Sequence, residues 1–265
     1  MKYYDTRSFM LDIFFEAIEG LRRLIKQWKF KKWIENVHFY PCIQPIFNAT
    51  GNKIIGCEVL LRARTCHGEI SPLSFISDLE KSIYINDVTA FLLKDIETCF
   101  YKHLNLLPEN FYFSFNIYAS QLNCQELIYA LLAFQKKFAG SANLVLEIVE
   151  RSILDLNDEN IMAMEALRHE GVQFAIDDFC AGTASLKYIE HAGFTTIKID
   201  QGLTTLSGDS LQYQKVINAI VIFSLQMGFS VIAEGLDVAA RHRVQFHMSE
   251  KEAVNLLRQN IPPVG

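Results

Sequence analysis

The sequence predicts an α/β fold, a TIM-like (β/α)8 barrel whose first strand runs antiparallel to the others. Three observations carry this. From His38 onward, apolar strand-like segments alternate with amphipathic helical ones. Those strands are apolar on both faces, the pattern of a parallel sheet covered on both sides. An opening hairpin precedes six strand–helix repeats, and no strand-to-helix turn has the glycine fingerprint of a dinucleotide-binding open sheet. At 265 residues, half of them hydrophobic, the chain has enough apolar surface for one large core. The expected division is an amphipathic helical segment over 1–36 and a barrel domain over 37–265.

Within 1–36, Leu11, Phe14, Phe15, Ile18, Leu21 and Ile25 recur at helical intervals, and six basic residues gather between Arg22 and Lys32. Such a helix either docks on the barrel with a solvated basic face or lies on an anionic membrane surface. HFYPCIQPIF (38–47) and KIIGCEVLLRAR (53–64) read as strands joined by NATGN, so they pair antiparallel. A helix over 85–104, the strand FYFSFNI (111–117), a helix over 120–138 and the strand NLVLEIVE (143–150) follow. Next come a helix over 158–171 ending at Gly171, the strand VQFAIDD (172–178), a short helix over 185–193 and the strand FTTIKID (194–200). A helix over 210–228 and the strand FSVIAEG (229–235) complete the series.

A net charge of −5 argues against a surface for nucleic-acid polymers but leaves room for a small anion held through a metal. The six cysteines form no CxxC pair and the seven histidines lie apart from them, which disfavours zinc and a disulfide framework. No apolar run approaches the roughly 20 residues of a membrane span, and the amino terminus lacks the pattern of a secretory signal. The reading is a cytoplasmic protein.

Polar residues interrupt the strands in a regular way. Glu58 lies in the second strand, Asn116 closes FYFSFN, Glu147 and Glu150 close LVLEIVE, Asp177 and Asp178 close FAIDD, Lys198 sits in TTIKID and Glu234 closes SVIAE. In a barrel these carboxyl ends converge on one face, where active sites are built. So many carboxylates in one place repel unless cations neutralise them, and hard oxygen donors suit Mg²⁺, Mn²⁺ or Ca²⁺. Their number allows two metals about 3.5–4 Å apart, an arrangement used in phosphoester displacement. Lys198 is placed to orient a nucleophilic water or accept its proton, and Arg62 to hold a phosphate. Taken singly, each of these residues reads as a strand cap or a buried ion-pair partner, with Asp200 a simple partner for Lys198.

The run GCEVLLRAR resembles the GxEALLRW signature of the EAL domain, the cyclic di-GMP phosphodiesterase family. CIQPI, SPLSFISDLEKS, FNIYASQL, LVLEIVERSIL, FAIDDFCAGTASLKYIEHAGFTTIKID and VIAEGLD follow in that family's order over about residues 37–237. The resemblance implies a homodimerising barrel that hydrolyses one phosphodiester of cyclic di-GMP to linear pGpG with Mg²⁺ or Mn²⁺. It implies that Glu58, Asn116, Glu147, Asp177, Asp178 and Glu234 are metal ligands, and that Lys198 and Asp178 act on the water. Gln44, Leu60, Arg62 and Asp200 would contact the dinucleotide, while Glu150 and Asp237 would steady the loop after the paired aspartates.

Four positions depart from the family pattern. Val59 replaces alanine of the signature, Tyr118 replaces a small hydroxyl residue, Cys180 replaces a glycine, and Asp237 replaces glutamate. The carboxyl end is also short, with Val244-Gln245-Phe246 as a remnant strand, so the last βα unit is either rebuilt or leaves the barrel imperfectly closed. Two functions therefore stay open: an active phosphodiesterase, or a catalytically impaired module that binds cyclic di-GMP or a regulatory protein.

Overall fold

The structure, a computed structural model, describes residues 21, 25–48, 53–153, 156–180, 189, 193–207 and 210–234. Expectations for Asp237, the side chain of Glu150, the helix over 185–193 and the shortened carboxyl end lie outside these residues. The chain forms two compact units: the stretch through Phe39 together with Arg62–Ile83, and Tyr40–Leu61 together with the remainder.

The larger unit is built on a mostly parallel sheet. Its strands are β1 (His38–Phe47), β2 (Ile54–Thr65), β4 (Phe111–Ile117), β5 (Ala142–Val149), β6 (Gln173–Phe179), β7 (Thr196–Ile199) and β10 (Ser230–Ala233), adjacent in that order. Each pair from β2–β4 to β7–β10 is parallel. Helices α3 (Ile85–Phe100), α4 (Gln125–Phe138), α6 (Asp158–His169) and α7 (Gln214–Met227) fall between successive strands. This is the strand order of a barrel wall, with β1 and β10 as its two ends among the described residues. β1 and β2 are neighbours, and the Asn48 N–H donates to the Lys53 carbonyl at 2.9 Å across their connection. A parallel crossover needs at least about 10–12 residues, so this turn reverses the chain and makes β1 antiparallel to β2.

Period-two alternation separates the faces of β4. Phe111, Phe113 and Phe115 are buried on the helix side. Phe113 meets Phe100 of α3, Phe111, and Phe134 and Phe138 of α4 at centroid distances of 5.0–5.7 Å, all nearly edge to face. That geometry favours ring quadrupoles as well as burying area. On the opposite face Tyr112 lies across Gly56, its register partner in β2; a Cβ at Gly56 would stand 2.7 Å from the tyrosine ring. Glycine is required there by close approach.

Helix α6 starts on a reciprocal cap in which Asn157 and Asn160 each accept from the other's backbone N–H. The Asn160 amide also donates to the Ala119 carbonyl and to Asn123, tying the cap to the loop after β4.

In the smaller unit, residues 25–34 form α1. Trp33 packs against Phe39 and Phe75 at 6.1 and 5.4 Å, with Phe30 stacked on it at 5.4 Å. Lys26 pairs with Asp78 of the short helix α2 (Ile76–Glu80) at 2.5 Å. The end of β2 pairs antiparallel with β3 (Gly68–Ile70), aligning Ala63 with Ile70.

Several boundaries differ from the sequence expectation. The first long helix ends at Phe100 and continues as a 3₁₀ turn over Tyr101–Leu106, because His103 leaves helical geometry. The helix expected from Ser120 is a 3₁₀ turn over Ala119–Asn123, then α4, since Cys124 is extended. The helix expected from Ser210 begins at Gln214, preceded by a ribbon of β8 (Leu206–Ser207) and β9 (Ser210–Leu211). β5 stops at Val149; Glu150 opens the helical turn α5 (Glu150–Ile153) instead of closing the strand.

Candidate functional site

The site is assembled on the inner face of the sheet by the same alternation that buries the phenylalanines outside. Glu58 aligns with Ser114, Asn116 with Glu147, Val149 with Asp177 and Ile232 with Lys198, so the polar side chains climb from strand to strand. Their convergence point is Lys198, 1% exposed within the fully buried strand β7. Its Nζ lies 2.6 Å from Glu147 Oε2, 2.7 Å from Glu234 Oε1, 2.9 Å from Asp177 Oδ1 and 3.3 Å from Glu58 Oε2. Asp200 is no partner of Lys198: its Oδ1 accepts from the Gly202 N–H at 2.8 Å and folds the loop after β7.

The carboxylates are held from behind. Asn116 donates through Nδ2 to Glu58 Oε1 at 3.0 Å. Ser114 donates through Oγ to Glu147 Oε1 at 2.5 Å, with both residues fully buried. The Glu234 backbone is fixed at both ends, its N–H donating to Ile199 and its carbonyl accepting from the Thr204 hydroxyl. Ser114 and Thr204 are absent from the sequence-derived site. Ser114 had a signal, a hydroxyl two residues before Asn116 in an otherwise aromatic strand and thus on the same face.

Adjacent residues of a regular strand face opposite ways, so Asp177 and Asp178 should diverge. A bulge prevents this: from Ile176 to Phe179 β6 advances three residues while β7 advances two, and Asp178 takes a left-handed φ of 54°. Carboxylate oxygens of Asp177, Asp178 and Glu234 consequently all lie within 4.8 Å of one another.

The electrostatics follow from geometry. Burial alone would lower the Lys198 pKa, but Glu147, Glu58, Asp177 and Glu234 outweigh it and hold the ammonium well above its ordinary value. Burial, reinforced by Glu58, pushes the Glu147 carboxyl well up against the pull of Lys198. Burial likewise raises Glu234, opposed by Lys198. Burial raises the Cys57 thiol, and Glu58 raises it further, which leaves that sulfur protonated and inert.

One atom tests whether a metal fits. Asp177 Oδ1 is buried and accepts no directed hydrogen bond despite the ammonium beside it. A buried carboxylate oxygen held only by an ion pair, within a three-carboxylate cluster, belongs to a donor set that suits a hard divalent cation. Asp177, Asp178 and Glu234 would hold such an ion, with Glu58, Glu147 and Asn116 on the adjoining side of the ring.

The family departures sort by position. Val59 faces away from Glu58, is 2% exposed and aligns with Phe115, so it enlarges the outer core and leaves the ring untouched. Cys180, at the glycine position, adopts a left-handed φ of 69°: the loop bends as glycine would, at a cost of about 1–2 kcal/mol. Tyr118 is half-buried immediately after β4. Among the other sequence-derived residues, Gln44 is exposed on β1, Leu60 is half-buried on the same side of β2 as Glu58, and Arg62, half-buried, belongs to the smaller unit.

A family model described as the EAL domain matches residues 27–247. The "Probable cyclic di-GMP phosphodiesterase PdeG" of Escherichia coli (strain K12) is 27% identical over 255 residues, covering 96% of this chain and 47% of that protein. The "Cyclic di-GMP phosphodiesterase PdeL" of the same organism is 30% identical over 213 residues, covering 77% of this chain and 57% of that protein. The chain thus spans about half the length of these curated relatives. The solved structure of the EAL enzyme Bd1971 in its cAMP-bound form superposes with a TM-score of 0.71 at 22% identity, covering 97% of this chain and 70% of that one. The fold is accordingly the TIM-like barrel of that structure. The matched residues include the whole inner ring from Glu58 to Glu234, and the chain belongs to the EAL domain family.

Proposed function

We propose that this chain hydrolyses one phosphodiester of cyclic di-GMP to linear pGpG, with Mg²⁺ or Mn²⁺, in two sites, as its cofactor. The observation that carries the reading is the buried ring itself: Lys198 within 3.3 Å of four carboxylates, beside the Asp177, Asp178, Glu234 cluster. The names of PdeG and PdeL support the substrate.

The chemistry bound cations supply is acidification of a water and neutralisation of phosphoryl charge. The chain's own groups do the rest. Asp178, turned inward by the bulge, and Lys198 orient the water; its oxygen bonds to phosphorus as the water gives up a proton, the bond from phosphorus to one ribose 3′-oxygen breaks, and that oxygen takes up a proton. One water is consumed, and its second hydrogen ends on the new phosphate or in solvent. Asn116 and Ser114 keep Glu58 and Glu147 from turning away as charge shifts. The resemblance assigns Gln44, Leu60, Arg62 and Asp200 to the dinucleotide, and Glu150 and Asp237 to the loop after the aspartates. A cytoplasmic location and homodimerisation belong to the same reading. No helix among the described residues is long and apolar enough to cross a membrane.

The test is incubation of the purified chain with cyclic di-GMP and each metal, followed by chromatography for pGpG. Turnover is expected with Mg²⁺ or Mn²⁺, is abolished by EDTA, and falls at least about a hundredfold in Glu58→Ala. Intact cyclic di-GMP in the presence of folded, metal-supplied protein would overturn the reading in favour of a binding module.

A further inference from the structure

The N-terminal helix carries two apolar faces, and among the described residues only one is packed. At about 100° per residue, Phe30, Trp33 and Ile34 fall on one side of α1, where Phe30 and Trp33 join Phe39 and Phe75. Ile25 and Trp28 follow at i and i+3 on the opposite side and are 46% and 57% exposed, and Leu21, ahead of residues 25–34, is 59% exposed. Packing against the aromatic cluster is therefore complete without the second stripe.

Charge says what the second stripe fits. Residues 21–34, LRRLIKQWKFKKWI, hold six basic side chains and no acidic one. That stretch contributes +6 against a chain total of −5, which leaves −11 on everything else. Lys29 and Lys31 flank the exposed stripe on either side and are themselves exposed, while the Lys32 ammonium sits 4.3 Å over the Trp28 ring. Lys26 is engaged elsewhere, on Asp78. An exposed Ile/Trp stripe edged by lysines has the composition of a helix lying in a bilayer interface, with its indole at headgroup level and its ammonium groups reaching the phosphates. A second copy of the chain seated there would bring Lys29, Lys31 and Lys32 of both copies together, and like charges oppose that contact.

We propose that the Ile25/Trp28 face of the N-terminal helix is a docking surface for anionic lipid bilayers. It is reversible and peripheral, because a single short amphipathic face combined with a handful of basic residues gives salt-sensitive binding rather than insertion. The proposal is independent of the hydrolytic reading.

Flotation of the full chain tests it, using vesicles of phosphatidylcholine alone and of phosphatidylcholine with phosphatidylglycerol. Binding is expected with the anionic vesicles only, lost in high salt, and accompanied by a blue shift of tryptophan emission that is absent in Trp28→Phe. Lys29→Gln/Lys32→Gln is expected to weaken partitioning about 30-fold while circular dichroism and solution activity stay unchanged. Ile25→Ser/Trp28→Ser removes the apolar contribution and is expected to abolish flotation. Failure of the folded wild-type chain to float with anionic vesicles overturns the proposal. So does undiminished flotation of both double variants, or binding to soluble polyglutamate with the same affinity and the same blue shift, which would assign the face to an acidic protein. A concentration-dependent dimer that buries Trp28 in the absence of lipid would give the face to a second copy and overturn it as well.

Discussion

The two faces of β4 are built from the same seven residues yet obey different rules. On the outside, Phe111, Phe113 and Phe115 are interchangeable in kind: each fills space between sheet and helices, and the requirement is volume, shape and dryness. On the inside, Ser114 and Asn116 each have one identified carboxylate partner, and the requirement is a particular donor at a particular atom. The outer face tolerates a change such as the family's alanine becoming Val59, which sits next to Glu58 in sequence but points to the opposite side of the strand. The inner face has less slack, because Glu58, Glu147, Asp177 and Glu234 all converge on Lys198 and two of them are also held by Asn116 and Ser114.

Three substitutions would break or sharpen that contrast. Removing the central cation has the largest expected effect. Lys198→Met should cost roughly 5 kcal/mol in urea unfolding with EDTA present, the upper end for stripping a buried charge of its partner, because four carboxylates lose it together. Adding Mg²⁺ should return part of that loss, since an ion that binds only the folded state stabilises it. Phe113→Ala comes next, at about 3–5 kcal/mol for a fully buried ring touching four others. Unlike the lysine variant, its deficit should be the same with EDTA as with Mg²⁺; a deficit that magnesium repairs would show that the two faces are coupled. Ser114→Ala is the smallest, about 1–3 kcal/mol, because one buried carboxylate oxygen loses its donor. A double-mutant cycle with Glu147→Gln should recover most of that value as coupling energy, and additive costs would mean the serine acts by packing alone.

What was legible in the sequence divides along the same line. The barrel was readable because alternation and apolar runs are local, and so was the ring, because Glu58, Asn116, Glu147, Lys198 and Glu234 each interrupt an apolar strand. Ser114 was passed over because serine in a strand carries little signal until Glu147 is known to sit across from it. Asp178 was placed in the ring by sequence, but the device that puts it there was not readable: period two sets it opposite Asp177, and the register slip between β6 and β7 reverses that. Gly56 belongs to the same class, since the ring that forbids a side chain there comes from Tyr112, distant in sequence. At Cys180 the sequence names a non-glycine residue at a glycine position, and the left-handed φ of 69° it adopts could not be read from the residue type.

Lys198 has one more consequence, which concerns the order of assembly. Small metal domains commonly stay unfolded until the ion arrives, because their ligands cannot be brought together without it. Here the chain carries its own counter-ion at the focus of the four carboxylates, so the polar interior can close during synthesis in a cell where free metal is scarce. The lysine is a resident counter-ion, so closing this interior does not have to wait for an ion to bring the four carboxylates together.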